Sequence, residues 1–551
     1  IYTRYHHRGV WSPEKEIVSS SDDVLQPVMT QGPKGEVWLF WTEQRNGVWN
    51  TYLRQLTPTT ESDEVNLSDH RATDFAPTVA TDTAGRVWLA WQSKRSGNLD
   101  VFVRHYAEEK WSPPLCLTDN GSSNWSPAIT ADAHGGVWVA WDSYRNGNYD
   151  IYLRHVREGP SLLSNPIRVT TSRSYDMDVS IAADGEDGVW IAWRRTVPWG
   201  RDSYRLNTDG QLCLRRYDNR QGLFGLPAEA NYTYHGRSDD YGVVPVPVDL
   251  LRRELPVLPT VIVDRNGAVH LFYRRFRDHG WRNLGWNVEH LIYSGDSWSE
   301  IETLSSEPGD ASEKIAVTED EEGSLWVGFQ SCPCEDTYKP IDNPESRVYM
   351  KKLHLLKDET KKAVCDTRPG SAHVPAPPTD IEELHYRRLE RRTKREQFLL
   401  LWGDLHRHTI YSPCVPEGDG SLLDNYRWAY DAGGLDFYAT ADHVDCLNRY
   451  TWEQTMVYAD LFYSKGDLSP IYSFETTYKD GRQANYYYID RSIGGIVRKA
   501  GLDKHMAEAW EIFDQAGLSG KVIVARHYHG SPGRGNGKDW NGKYEPLMEV
   551  V

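Results

Sequence analysis

The chain has 551 residues and a formal charge of −17 at pH 7, from 62 basic and 79 acidic side chains. This length predicts two or more domains. The acidic balance argues against a nonspecific nucleic-acid groove and against binding to anionic membranes. No apolar run approaches the roughly 18 residues of a spanning helix, and seven cysteines require no disulfide framework. We therefore expect neither a nucleic-acid partner nor a transmembrane segment.

An aromatic strand pattern recurs through the first two thirds of the chain. Its copies begin at Val37, Val87, Val137, Val189, Val269 and Leu325, in steps of 50, 50, 52, 80 and 56 residues. An Asp-x-x-Gly turn precedes most copies, and Asn/Gly turns of the kind that close tight hairpins follow the early ones. Repeats of this length with alternating aromatics are typical of β-propeller blades. The run from Arg145 to Arg154 resembles the blades of TolB-type propellers, which implies a fold and little about function.

The N-terminus lies inside a repeat. Ile1–Arg4 and the following Trp11-Ser12-Pro13 match Val101–Arg104 and Trp111-Ser112-Pro113. These N-terminal strands either complete the sixth unit, giving the six blades that we favour, or belong to a seventh whose front half is missing. A chain that begins inside a repeat can have lost a signal peptide, so a secreted or periplasmic location is favoured over a cytoplasmic one.

Three segments interrupt or follow the repeats. An insertion rich in tyrosine and aspartate, 231–254, separates the fourth and fifth units and is either a loop over the propeller mouth or an ordinary surface loop. A Pro-rich linker covers 357–380, and a highly charged stretch at 381–397 predicts a solvated helix. The predicted domains are therefore a propeller over 1–356, a linker and helix over 357–397, and an α/β domain over 398–551.

Side chains of the types that commonly bind metals follow two strand-like runs of the last domain. His406 and His408 come at the end of the run 398–402, and Asp442 with His443 follows the run 435–440. Residues i and i+2 of a strand point the same way, so the first two imidazoles share one face. Four ligand-type residues at consecutive strand ends form a metal-site pattern that packing alone does not require.

Two later strand-like runs end in similar residues. The run 471–474 leads into Glu475, a carboxylate able to bridge two cations, and the run 522–525 leads into Arg526, His527 and His529. Strands that alternate with helices indicate an α/β domain. One of these helices is expected to start at Ser421 with a capping box to Asp424.

The motifs DLHRHT and ATADH, followed by a strand-end Glu and a strand-end His, resemble the PHP (polymerase and histidinol phosphatase) family of metal-dependent phosphoesterases. The resemblance covers about 397–551. It implies a distorted (β/α)₇ barrel with two or three divalent ions such as Zn, Mn or Fe. The metal ligands that it implies are His406, His408, His443, the bridging Glu475 and His527, with His529 as a rival for the last role.

The expected catalytic residues are Asp442, which is also placed to orient an imidazole, and Arg526, which would neutralise substrate oxygens. The family's final Asp and His motif has no counterpart before Val551, so the barrel is expected to be incomplete. The favoured function is a metal-dependent hydrolase that activates water for attack on a small-molecule phosphoester. The propeller would gate the substrate or bind a protein partner or a second copy.

Two alternatives stay open. The first is a non-catalytic binding or assembly protein with a degenerate PHP-like domain. The second is a sialidase-type or lyase-type site inside the propeller, which is disfavoured because no Arg triad or Tyr/Glu nucleophile pair can be identified among the repeats.

Overall fold

A computed structural model describes most of the chain. The described residues are 1–118, 121–145, 147–158, 163–171, 174–196, 210–219, 222–225, 244–245, 256–278, 284–305, 314–331, 347–355, 360–364, 366–369, 401–412, 420–464, 466–479, 481–502, 506–528 and 541–550. Almost all of the insertion 231–254, most of the linker, the charged stretch 381–397 and His529 lie outside these ranges. The predictions made for them therefore stay predictions.

The first part of the chain consists of short N-terminal hairpins followed by six sheets, which we number 1 to 6. The hairpins are β1 Tyr2–Thr3, β2 His6–His7, β3 Val10–Trp11 and β4 Lys15–Glu16. Sheet 1 contains β5 Val24–Gln31, β6 Val37–Arg45, β7 Val48–Leu56 and β8 Val65–Asn66. Sheet 2 contains β9 Asp74–Thr81, β10 Val87–Ser93, β11 Asp100–Ala107, β12 Lys110–Trp111 and β13 Leu115–Cys116. Sheet 3 contains β14 Ser123–Ala131, β15 Val137–Arg145, β16 Asn148–Val156 and β17 Ile167–Arg168.

The remaining sheets repeat this antiparallel plan. Sheet 4 contains β18 Tyr175–Ala183, β19 Gly188–Thr196, β20 Gly210–Asp218, β21 Gly222–Gly225, β22 Val244–Pro245 and, from later in the chain, β31 Asp366–Pro369. Sheet 5 contains β23 Pro256–Val263, β24 Val269–Asp278, β25 Leu284–Ser294, β26 Ser297–Trp298 and β27 Glu302–Thr303. Sheet 6 contains β28 Ala316–Glu319, β29 Leu325–Ser331 and β30 Arg347–Leu353. The sheets confirm a mostly β, propeller-like architecture for this part of the chain.

The Asp-x-x-Gly turn joins the first two strands of a sheet. In sheet 2, Asp82 Oδ1 accepts hydrogen bonds from the backbone N–H of Ala84 at 2.9 Å and of Arg86 at 3.0 Å. Its Oδ2 accepts from the Trp88 indole at 2.8 Å. Gly85 adopts φ +78°, which a residue without Cβ tolerates at no steric cost. One carboxylate therefore fixes both the turn and the first tryptophan of the following strand.

Both faces of the aromatic strands are buried between neighbouring sheets. Val139 and Trp141 of β15 pack with Trp88 of sheet 2, whereas Trp138 and Ala140 pack on the other side with sheet 4. This arrangement confirms the expectation drawn from the repeat, because stacked blades require apolar side chains on both faces of a strand.

The N-terminal hairpins lie between sheet 6 and sheet 1. His6 contacts Trp326 of sheet 6 with 4.9 Å between ring centroids. On the other side, Ile17 and Val18 pack in one cluster with Leu39 and Trp41 of sheet 1. The ring of sheets is thus continued by the N-terminal segment.

A repeated hydrogen bond identifies the position that this segment occupies. Arg104 of sheet 2 donates to the carbonyl of Leu67, which follows the last strand of sheet 1. Arg54 of sheet 1 donates in the same way to the carbonyl of Ile17. In the described residues these hairpins pair among themselves and not with β30 of sheet 6. The number of blades stays a prediction.

The C-terminal part of the chain contains two sheets and four described helices. Its strands are β32 Gly403–Arg407, β33 Phe437–Thr440, β34 Ser469–Pro470, β35 Tyr472–Thr477, β36 Gln483–Tyr488, β37 Val522–Tyr528 and β38 Leu547–Val550. Its helices are α1 Leu422–Tyr430, α2 Arg449–Phe462, α3 Gly494–Leu502, which follows a 3₁₀ turn at Arg491–Ile493, and α4 Met506–Gln515. As expected, Ser421 caps α1 in a capping box with Asp424.

The strand pairing corrects the expected barrel. Strands β32, β33 and β34 are parallel, but β36 pairs antiparallel with both β35 and β37. An all-parallel (β/α)₇ arrangement is therefore not what the described residues form. The described first strand begins at Gly403, where a Cβ would lie 2.2 Å from the Phe437 ring that packs over it; residues 398–400 of the predicted run lie outside the described residues.

Helices α1 and α2 pack directly against the propeller sheets. Phe462 stacks on Trp125 with 5.8 Å between ring centroids and also contacts Phe75. The Trp125 indole donates to Asp431 Oδ2 at 2.8 Å, and the Tyr149 hydroxyl donates to the same oxygen at 2.5 Å. The two parts therefore share one apolar cluster and a pair of hydrogen bonds to Asp431.

Candidate metal centre

Five side chains from four strand ends converge in the C-terminal part. His406 belongs to β32 and His408 follows it, His443 follows β33, Glu475 belongs to β35, and His527 belongs to β37. The parallel pairing of β32 with β33 brings their carboxyl ends to one edge. A parallel bridge between His443 and Glu475 then joins this edge to the second sheet.

The converging atoms surround the Glu475 carboxylate. Its Oε2 lies 3.2 Å from His406 Nε2, 3.0 Å from His408 Nε2 and 3.7 Å from His443 Nε2. Its Oε1 lies 3.6 Å from His527 Nδ1. Two groups of three potential ligand atoms result, each within 4.8 Å: His406, Glu475 and His527 in one, and His408, His443 and Glu475 in the other. Glu475 is common to both groups.

The spacing of these atoms fits bound cations. Ligand atoms about 2.1 Å from a tetrahedral ion lie roughly 3.4 Å apart, and Glu475 Oε2 lies 3.2 Å from His406 Nε2 of one group and 3.0 Å from His408 Nε2 of the other. Imidazole and carboxylate are the ligand types that divalent transition metals accept. A carboxylate with one oxygen within 3.2 Å of an imidazole of each group is also suited to bridge two ions. The donor set therefore fits a dinuclear centre.

The imidazoles around Glu475 favour its charged form. It is 2% exposed, and such burial disfavours the charged form of a carboxyl group. Hydrogen bonds with His406 and His408 and the charge of His443 outweigh the burial and hold the pKa of Glu475 below its usual range. The cluster thus presents a carboxylate, the protonation state that a metal ligand requires.

Asp442 orients the segment that follows His408. Its carboxylate accepts from the Thr409 backbone N–H at 2.6 Å and from the Thr409 hydroxyl at 2.9 Å. Asp442 is 1% exposed and does not belong to either group of converging ligand atoms. Of the two roles considered for it, the geometry corresponds to orientation of a ligand-bearing segment.

Arg526 points away from the ligand atoms. It precedes His527 on β37, so the two side chains lie on opposite faces of the strand. Its guanidinium is held by Glu545, with Nη2 2.6 Å from Oε2, and Glu545 is fully buried. The structure therefore brings together His406, His408, His443, Glu475 and His527, and places Arg526 in a separate buried ion pair.

Several contacts around the ligands were not foreseen from the sequence. The Ser412 hydroxyl accepts from the His443 backbone N–H at 2.7 Å. The Tyr487 hydroxyl donates to the Leu405 carbonyl at 3.0 Å. A cleft between the two parts of the chain is lined by Ile410, Tyr411 and α1 on one side and by Arg194, Leu258 and Trp286 on the other. The residues of this cleft carry no sequence motif that would have identified them.

No protein-family model matches this chain, and no curated protein matches it. Among solved structures, an endo-arabinase from Bacteroides thetaiotaomicron has 16% identity and a TM-score of 0.31 over 52% of this chain and 95% of its own. An α-L-arabinanase from Penicillium chrysogenum has 12% identity and a TM-score of 0.36 over 60% of this chain and 93% of its own. An α-L-arabinofuranosidase from Fusarium graminearum has 10% identity and a TM-score of 0.35 over 60% and 92%. Likeness at this level assigns no activity to the chain.

These findings correct the assignment to the PHP family. No family model supports the resemblance, and the antiparallel pairs depart from its barrel. The identification as a PHP-type phosphoesterase is therefore wrong, and the zinc and manganese assignments that depended on it are withdrawn. Within the described part of the chain, no helix has the length and apolar character needed to cross a membrane.

Proposed function

We propose that this chain is an enzyme whose active centre holds two divalent cations. His406, Glu475 and His527 would bind one ion, and His408, His443 and Glu475 would bind the other. The observation that supports this proposal is that one carboxylate is common to two groups of three ligand atoms, each within 4.8 Å. Four imidazoles around a single carboxylate have no comparable use in packing.

Divalent ions held there would supply Lewis-acid chemistry, in which the pKa of a water molecule is lowered toward neutrality. The residues of the chain have the task of holding this arrangement. The Glu475 carboxylate contacts an imidazole of each ligand group, and Asp442 fixes Thr409 beside His408. The substrate is not assigned, since none of the described contacts selects a particular bond.

Metal analysis of the purified protein tests the proposal. We expect about two equivalents of a divalent transition metal in the wild type and a loss of both in the His406→Ala/His408→Ala double variant, because each ion would lose a ligand. His134→Ala is a matched control, since His134 is an exposed propeller residue paired with Asp187. Full metal occupancy in the double variant would refute the assignment of His406 and His408 as metal ligands.

Catalysis requires a separate measurement. Turnover of a panel of esters and glycosides should stop when a chelator removes the metal and return when the metal is restored. Turnover that persists in metal-free protein, verified by elemental analysis, would show that the reaction does not use this centre.

A further inference from the structure

Arg194 of the propeller forms a buried bridge to the C-terminal part. It belongs to β19, is 5% exposed, and places Nε 2.8 Å from Asp178 Oδ2 and Nη2 2.5 Å from Asp424 Oδ1. Asp178 is held in position by the fold, since it occupies a β-bulge of β18 with φ +58°. The guanidinium therefore connects a rigid element of sheet 4 with α1.

The Asp424 carboxylate has a second task at the start of α1. Its Oδ2 accepts from the Ser421 backbone N–H at 3.0 Å, and the Ser421 hydroxyl accepts from the Asp424 N–H at 3.1 Å. Gly420, just before this cap, has φ +74°, and a Cβ there would lie 2.9 Å from the Asp424 Cβ. Arg194 thus holds the residue that defines the first turn of the helix.

The first turn of α1 is connected to the ligand-bearing segment. The Gly420 carbonyl accepts from the Ile410 N–H at 2.9 Å, two residues after His408. Asp442 accepts a hydrogen bond from Thr409 at the start of the segment 409–412, and Ser412 at its end accepts one from the His443 N–H. The residues between His408 and Ser412 are therefore fixed by Asp442 on one side and by the start of α1 on the other.

We propose that Arg194 is a positioning residue for the metal centre: through Asp424 and Gly420 it sets the placement of the 409–412 segment and hence of His408 and His443. This inference rests on the proposed metal centre. The inference gives the propeller a defined role, because Arg194, a propeller side chain, would hold the segment 409–412 that lies between His408 and His443.

Cobalt titration distinguishes positioning from general stabilisation. The probe is Co²⁺ added to metal-free protein, with affinity and visible absorption spectrum recorded, since the spectrum reports coordination geometry. We expect Arg194→Gln to bind Co²⁺ about tenfold more weakly and with an altered spectrum, in line with the cost of losing contacts that orient ligands. Arg194→Lys keeps the charge but lacks the planar guanidinium that contacts both Asp178 and Asp424. Compared with Arg194→Gln, it should recover more of the folding stability than of the wild-type Co²⁺ spectrum.

Arg491→Gln is the matched control. Arg491 also pairs across the two parts, with Nη2 3.0 Å from Asp23 Oδ1, but it contacts no residue of the 409–412 segment among the described contacts. This variant should unfold at lower temperature yet keep the wild-type cobalt affinity and spectrum. Wild-type binding and spectrum in Arg194→Lys, or in a folded Arg194→Gln, would overturn the inference. Failure of the wild type itself to bind Co²⁺ would instead refute the proposed metal centre.

Discussion

Removal of Arg427 should strongly destabilise the junction between the propeller and the C-terminal part. Arg427 lies on α1, is 1% exposed, and pairs with Asp142 of sheet 3, which is fully buried. Burial lowers the pKa of Arg427 to about 9, so the guanidinium remains charged at pH 7. Its Cζ also lies 5.1 Å from the Trp125 ring centroid and 4.8 Å from that of Tyr149. Arg427→Met would leave the Asp142 carboxylate buried without its cation.

The expected cost is about 3–5 kcal/mol, which is typical of removing one partner from a buried ion pair. Urea unfolding followed by tryptophan fluorescence measures it. The Arg427→Met/Asp142→Asn variant is the control: it removes the unpaired charge and should recover a large part of the loss, because coupled neighbours are not additive. A single variant that loses less than about 1 kcal/mol, or a double variant no more stable than the single one, would refute the reasoning.

Three further predictions concern the blades, the junction and the centre. Trp138→Ala should cost roughly 3–5 kcal/mol of unfolding free energy, because it empties a 3% exposed position between sheets 3 and 4; equilibrium denaturation checks this. Burial raises the pKa of Asp431 to about 6, so its contribution to stability is complete below about pH 4 and is lost as pH rises to about 6. Wild type should therefore lose stability relative to Asp431→Asn between pH 4 and pH 6.5, and a pH-independent difference would contradict this. Asp442→Ala should weaken metal binding by about 10–100-fold. Asp442→Asn keeps an acceptor for the Thr409 N–H and should lose less metal affinity, which metal titration of both variants measures.

The repeat architecture could be predicted because its causes are local. The Asp-x-x-Gly turn is built from residues within a few positions of Asp82, and the two apolar faces of β15 follow directly from strand alternation. The position of the N-terminal hairpins could not be predicted. It depends on contacts of His6 with sheet 6 and of Ile17 with sheet 1, which a single repeat does not specify.

The pairing of the C-terminal strands was also beyond the sequence. Runs such as 471–474 and 522–525 predict strands, but their side-chain pattern does not determine whether β36 pairs parallel or antiparallel. The five converging side chains were nonetheless identified, since each lies at or near a strand end whatever the pairing; their role as metal ligands stays a proposal. The orientation of Arg526 was not predicted, because no sequence motif indicates that its partner Glu545 lies beside β37.

Contacts between the two parts were the least predictable feature. Arg194 and Asp424 are 230 residues apart, and each has the ordinary local explanation of a strand residue or a capping residue. Only the three-dimensional arrangement shows that both belong to one chain of contacts leading to His408.

The bridging role of Glu475 is the central claim, and the stoichiometry of metal binding in a Glu475→Gln variant tests it most directly. The substitution keeps the size of the side chain and removes the charge that both ligand groups have in common. Titration of metal-free protein with Co²⁺ should give two bound ions in the wild type and a marked weakening of both in the variant. Loss of only one ion, or retention of both at wild-type affinity, would contradict a centre that is bridged by this carboxylate.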